Sequence, residues 1–71
     1  MRDFEIFVED ERYDAPTLLF VQMADEARVR AFARRKLEED RRYLGVEVRE
    51  HGVRLFGLGT LADVSDGDLS G

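Results

Sequence analysis

The stretch Val46-Glu47-Val48-Arg49-Glu50-His51-Gly52-Val53-Arg54-Leu55-Phe56-Gly57-Leu58 decides the fold. Val46 and Val48 alternate with Glu47 and Arg49, the period of a strand that turns one side to a core. His51-Gly52 then has the composition of a two-residue hairpin turn, after which Val53 to Leu58 returns. Closing the hairpin there sets Glu50 opposite Val53, Val48 opposite Leu55 and Val46 opposite Gly57, so the apolar positions agree on one face. The same register opposes Arg49 to Arg54, a like-charge pair that Glu47 or Glu5 alongside would relieve.

Upstream of this hairpin the period changes. Val29, Phe32, Ala33, Leu37 and Leu44 recur at helical spacing and gather on one face of a helix expected from Asp25 to about Leu44. Asp25 is its N-cap, Ala24 and Val29 occupy the hydrophobic-staple positions, and Gly45 is placed to end it. Glu26 with Arg30, Arg34 with Glu38, Arg35 with Glu39 and Glu38 with Arg42 stand four apart, close enough to pair on the solvent side. Further upstream, Phe4, Ile6 and Val8 alternate with Glu5, Phe7 and Glu9 as a second strand. Asp10 to Pro16 reads as a polar loop, and Thr17 to Met23 as a strand that is apolar on both faces and expects cover on two sides.

The order is therefore β-β-α-β-β, an α+β two-layer sandwich with a four-stranded, mainly antiparallel sheet and one helix on one face. Antiparallel neighbours being the commoner case, the expected sheet order is 2-1-3-4. The core beneath the helix is expected from Phe4, Ile6, Val8, Leu19, Val21, Met23, Val46, Val48, Val53 and Leu55. Residues 1–59 form the single domain, and residues 60–71, with Asp63, Asp66, Asp68 and two glycines, read as an acidic tail that frays.

Length and composition bound the rest. At 71 residues the chain is one domain at most, and a domain so short buries only roughly 60% of its unfolded surface. With zero Cys it has neither disulfide nor thiolate metal site to reinforce it, which leaves oligomerisation or a tightly packed core. Hydrophobic content of 44% against 38% charged excludes a disordered chain. A net charge of −5 opposes nucleic acid and anionic membrane at long range, and no run approaches the ~20 apolar residues of a membrane span. Acidic residues at Asp3 and Glu5 fall where a leader peptide would have its apolar stretch, so the expected location is cytoplasmic.

Few residues carry chemistry. There is one His, one Lys and no Cys, and Ser65 and Ser70 lie in the expected tail, so no catalytic residue, cofactor or metal is expected. His51 reads as a turn residue, and Glu9-Asp10-Glu11 with Asp14 lacks the spacing of a calcium loop. What stands out instead is the sheet face opposite the helix. In the register above it carries Phe7, Leu18, Phe20, Phe56 and Leu58, a patch near the upper limit for a soluble monomer. The expected function is a non-enzymatic interaction domain that covers this face with a second copy or a partner protein. Residues from Thr60 onward, laying Leu61, Val64 and Leu69 across it, are the intramolecular alternative. The alternative function is a nucleic-acid module. The helical segment holds seven bases against five acids, a net of +2 that leaves −7 elsewhere, and Arg30, Arg34 and Arg41 fall in a stripe. That stripe and the aromatic face lie on opposite sides of the molecule, so nucleic acid is not the expected partner.

Overall fold

The computed structural model describes residues 1–62. Residues 63–71 lie outside the described residues, and with them the fraying expected there and the proposed roles of Val64 and Leu69. Strands β1 (Arg2–Asp10), β2 (Thr17–Met23), β3 (Tyr43–Glu50) and β4 (Val53–Gly59) form one antiparallel sheet in the order β2-β1-β3-β4, with helix α1 (Glu26–Glu39) between β2 and β3 in the chain. The α+β arrangement and the strand order are those expected from the sequence.

Alternation in β1 works as anticipated. Phe4, Ile6 and Val8 are fully buried with Val46 and Val48 of β3, and Val29 and Ala33 of α1 close over them. Asp25 caps the helix, its carboxylate accepting the Arg28 N–H at 2.9 Å from an extended backbone. Such a cap satisfies one of the donors that the first helical turn leaves free. At the other end the helix stops five residues earlier than Leu44. Asp40 has an extended backbone, and its carboxylate accepts the Arg42 N–H at 2.9 Å, a local turn that competes with helix propagation. Tyr43 and Leu44 thereby join β3, and Gly45 is a buried strand residue opposite Gly59 rather than a helix terminator. Of the four expected helix-surface pairs, Glu26 with Arg30 forms, at 3.4 Å, whereas Arg42 lies beyond the helix and turns onto Asp40. The helix is neither long nor apolar enough to cross a membrane.

The β3–β4 hairpin contains the main departure. His51 and Gly52 both have positive φ, 52° and 80°, as a primed two-residue turn requires, and Glu50 faces Val53 and Arg49 faces Arg54 as expected. Between Arg54 and Phe56 the register slips, because Leu55 is an extra residue in β4 and Val48 faces Phe56 instead. A bulge of this kind opposes two residues to one, so every later side chain changes face. Phe56 enters the core at 7% exposure, Leu58 packs beside it opposite Val46, and Gly57 takes the outer face opposite Glu47. The gain is burial of the largest apolar side chain in the strand. Val53, expected in the core, is 63% exposed at the turn. The opposed arginines are reconciled by Glu47, which pairs with Arg49 and stands 3.6 Å from Arg54.

Beyond the expected boundary at Gly59 the chain stays attached. The Thr60 N–H donates to the Leu44 carbonyl at 2.9 Å, and Arg54 donates to the Leu61 carbonyl at 2.8 Å. This short turn folds back over Gly57, where an added Cβ would collide with Leu61 backbone, and so needs glycine for its close approach.

Three carboxylates are held by adjacent guanidinium groups. Asp10 takes both Arg12 nitrogens, Asp40 takes both Arg42 nitrogens, and Glu50 takes Arg2 at 2.7 and 2.9 Å. Donation from these arginines lowers all three pKa values, that of Asp40 to about 2 from an ordinary 3.8. A group whose pKa is depressed by folding contributes stability above its unfolded pKa and loses it as pH falls through the folded value. Stability is therefore expected to be flat above about pH 5 and to decline between about pH 4 and 2, with Asp40→Asn removing its share of that slope, as urea midpoints across pH would show. The bulge has its own test: Phe56→Ala should cost about 3 kcal/mol, and Phe20→Ala less than about 0.5 kcal/mol, in urea unfolding at a protein concentration low enough to keep the chain monomeric. Equal effects would mean that Phe56 is not in the core.

Candidate interaction surface on the open sheet face

The period of β1 that buries Phe4, Ile6 and Val8 turns Asp3, Glu5, Phe7 and Glu9 to the face opposite α1. Pairing carries that face across the sheet. Leu18 stands opposite Phe7 and Phe20 opposite Glu5 in β2, and Glu47 and Arg49 oppose Phe7 and Glu5 in β3. Arg54, Gly57 and Gly59 complete it on β4.

Of the five residues expected to make one apolar face, three are there. Phe7 sits half-buried in the centre, with the Arg49 guanidinium 5.0 Å from its ring. Leu18 is 43% and Phe20 75% exposed on the neighbouring edge strand. Phe56 and Leu58 are not on this face, because the bulge at Leu55 sends both beneath the helix. A charge placed at Phe56 would accordingly test folding, not association.

The remaining open face is charged and internally satisfied. Glu47 serves Arg49 and Arg54, Gln22 donates to Asp3 at 2.8 Å, the Gly52 N–H donates to Glu5 at 3.3 Å, and the Thr60 hydroxyl donates to Glu9. Apolar surface is thus confined to Phe7 and β2, at one side of the sheet.

A cavity of about 250 Å³ opens above Phe7. Tyr13 and Pro16 of the β1–β2 loop wall it on one side, Leu61 of the terminal turn on another, and Glu9 and Glu47 lie at its rim. The loop is fixed at its root, where the Tyr13 N–H donates to the Asp10 carbonyl at 3.0 Å and Arg12 clamps Asp10. By its polar composition the segment 10–16 reads as a connector, and nothing in that composition brings it onto this face. Tyr13 and Pro16 within that loop were the signal available.

The arginine stripe does not form as expected. Arg30 lies with its guanidinium 4.1 Å from the Phe56 ring centroid and near Glu26, so its apolar stem and charged plane cover the core. Arg34 is exposed on the helix, but Arg41 falls in the turn after it, since α1 ends at Glu39. Arg41 therefore shares no helical face with Arg30 and Arg34.

Among the described residues, every buried side-chain nitrogen and oxygen has a hydrogen-bond partner, and no three His, Asp or Glu side chains converge as metal ligands would. His51 projects from the hairpin turn, exposed. The arrangement can therefore present an apolar strip, a shallow acidic cavity and a row of paired charges to another molecule. Comparison of the chain with protein-family models, with curated proteins and with solved structures returns no match, so this surface rests on its own geometry.

Proposed function

We propose that the protein is a small non-enzymatic interaction domain that associates with a second copy, or with a partner protein, through the Phe7, Leu18 and Phe20 side of its open sheet face. The observation that carries this reading is Phe20, a phenylalanine 75% exposed in the middle of a regular strand, flanked on the same face by Leu18 at 43%. Scattered apolar side chains are ordinary on protein surfaces, but a contiguous group that includes an aromatic residue in a rigid strand suits a contact site. The strand holds Phe20 in place through its pairing with Glu5, so little ordering remains to be done when a partner arrives. A chain of this size also gains from sharing its apolar surface, because its own core is eight residues deep in one layer.

Two measurements test the reading. Sedimentation at about 10 μM is expected to show a dimer, and Phe20→Glu is expected to give a folded monomer whose urea midpoint no longer depends on protein concentration, because it places an unpaired charge at the contact without touching the core. A wild type that stays monomeric, and whose monomer shields Phe20 from solvent, would remove the self-association. On the nucleic-acid side, affinity for single- or double-stranded oligonucleotides is expected to be weaker than about 10 μM at physiological salt, since the net field is repulsive and Arg30 is engaged on Phe56. Salt-sensitive submicromolar binding, abolished by Arg34→Ala with Arg41→Ala, would favour the nucleic-acid reading instead.

A further inference from the structure

The two edges of the sheet are built differently. β4 carries Arg54, the bulge at Leu55 and glycines at 57 and 59, all features that discourage another strand from pairing with an edge. β2 has none of them. Its register with β1 is unbroken over seven residues, Thr17 to Met23, with no charge, proline or glycine among them. It lies within Ala15–Ala24, ten residues that form the longest uncharged stretch of the chain. Its outer backbone groups face no other strand among the described residues.

The helix also leaves this edge thinly covered. Arg30 and Leu37 lean toward β4, over Phe56 and Gly59, and the side of α1 that turns to β2 offers Phe32 and Lys36. Leu19, Val21 and Met23, on the helix side of β2, are consequently half-buried rather than enclosed. Both flanks of the strand are apolar and incompletely covered.

We infer that β2 pairs edge to edge with β2 of a second copy, antiparallel about a two-fold axis at Phe20, joining two sheets into one of eight strands; this rests on the self-associating form of the function proposed above. The fully overlapped register places Phe20 against its own copy, Leu18 against Gln22, Leu19 against Val21 and Thr17 against Met23. Every pair lies on one face, and no charge meets a charge. The strip's lack of charge admits a second copy as its occupant. Two chains of −5 repel, and this uncharged strip is where they can meet with least opposition, so association is expected to strengthen with added salt.

The 71-residue chain, which contains no Cys, permits a direct test. Leu18→Cys and Gln22→Cys alter exposed positions and leave the core intact. In the inferred register position 18 of one copy adjoins position 22 of the other, whereas two copies of position 18 stand about 14 Å apart along the strand. A short bismaleimide should join a mixture of the two variants at least about fivefold more efficiently than either variant alone. Amide exchange of the wild type should slow at the outward-facing N–H groups of β2 by about fivefold to tenfold between 10 μM and 1 mM, as the free-monomer fraction falls. A dimer that Phe20→Glu dissociates, with no preference for the mixed cross-link and no concentration-dependent protection of β2, would overturn edge pairing while leaving the open-face reading in place. A wild type monomeric at 1 mM would overturn edge pairing and the self-associating reading together. Protection of those amides already complete at 10 μM in a monomer would show the edge covered within one chain, and overturns the inference as well.

Discussion

One helix has to cover four strands, and it is too narrow to do so. A helix with its side chains is about 10–12 Å across, while four strands at about 4.8 Å spacing extend over 14 Å between their outer axes alone. Val29 and Ala33 lie over Phe4, Ile6, Val8, Val46 and Val48, so the completely buried part of the core belongs to β1 and β3. The two outer strands share what cover remains, and they share it unequally. β4 turns Phe56 inward and receives Arg30 and Leu37 above it. β2 keeps its helix-side residues half-exposed and offers Leu18 and Phe20 on the other side. The surface proposed for association is thus the part of the sheet that the helix does not reach.

Much of this was legible in the residues. The period-two pattern of β1, the Asp25 cap, the His51-Gly52 turn and the strand order follow from local rules that the whole fold respects. Phe7, Leu18 and Phe20 were placed on the open face by the same alternation. The same alternation puts Phe56 and Leu58 there too, wrongly, because Val53-Arg54-Leu55-Phe56 sets two apolar residues side by side, and either can be the one turned inward. Choosing between them depends on Arg30 and the space beneath α1, a tertiary matter that a strand's own sequence does not contain. The helix end was misplaced for a related reason. Gly45 looks like a terminator, yet Asp40-Arg41-Arg42 stops the helix first by the same local device that Asp10-Glu11-Arg12 uses after β1.

Those two Asp-X-Arg turns sit side by side. The Glu11 N–H donates to the Arg42 carbonyl at 2.9 Å, tying the exit of β1 to the entry of β3, and a second irregularity in register falls at the same place, between Glu9 and Asp10. Asp10 is buried at 3% exposure, which its two guanidinium bonds and the Arg12 N–H make tolerable. The clamp fixes the root of the loop whose Tyr13 and Pro16 wall the cavity over Phe7. Electrostatics here position a surface.

The strand order has a consequence for how the chain assembles. β1 with β2 and β3 with β4 are each sequential hairpins, one closed by a six-residue loop and the other by two residues, and the two are sutured along a single seam, β1 against β3. Loop-closure entropy is small for each hairpin and substantial at one step, the meeting of Glu5 with Arg49 and its neighbours across more than forty residues. The helix that bridges the hairpins also supplies the side chains which seal that seam. Search is therefore concentrated in one docking event between two locally formed ribbons, and whatever weakens α1 acts on the rate of that event as well as on the finished core.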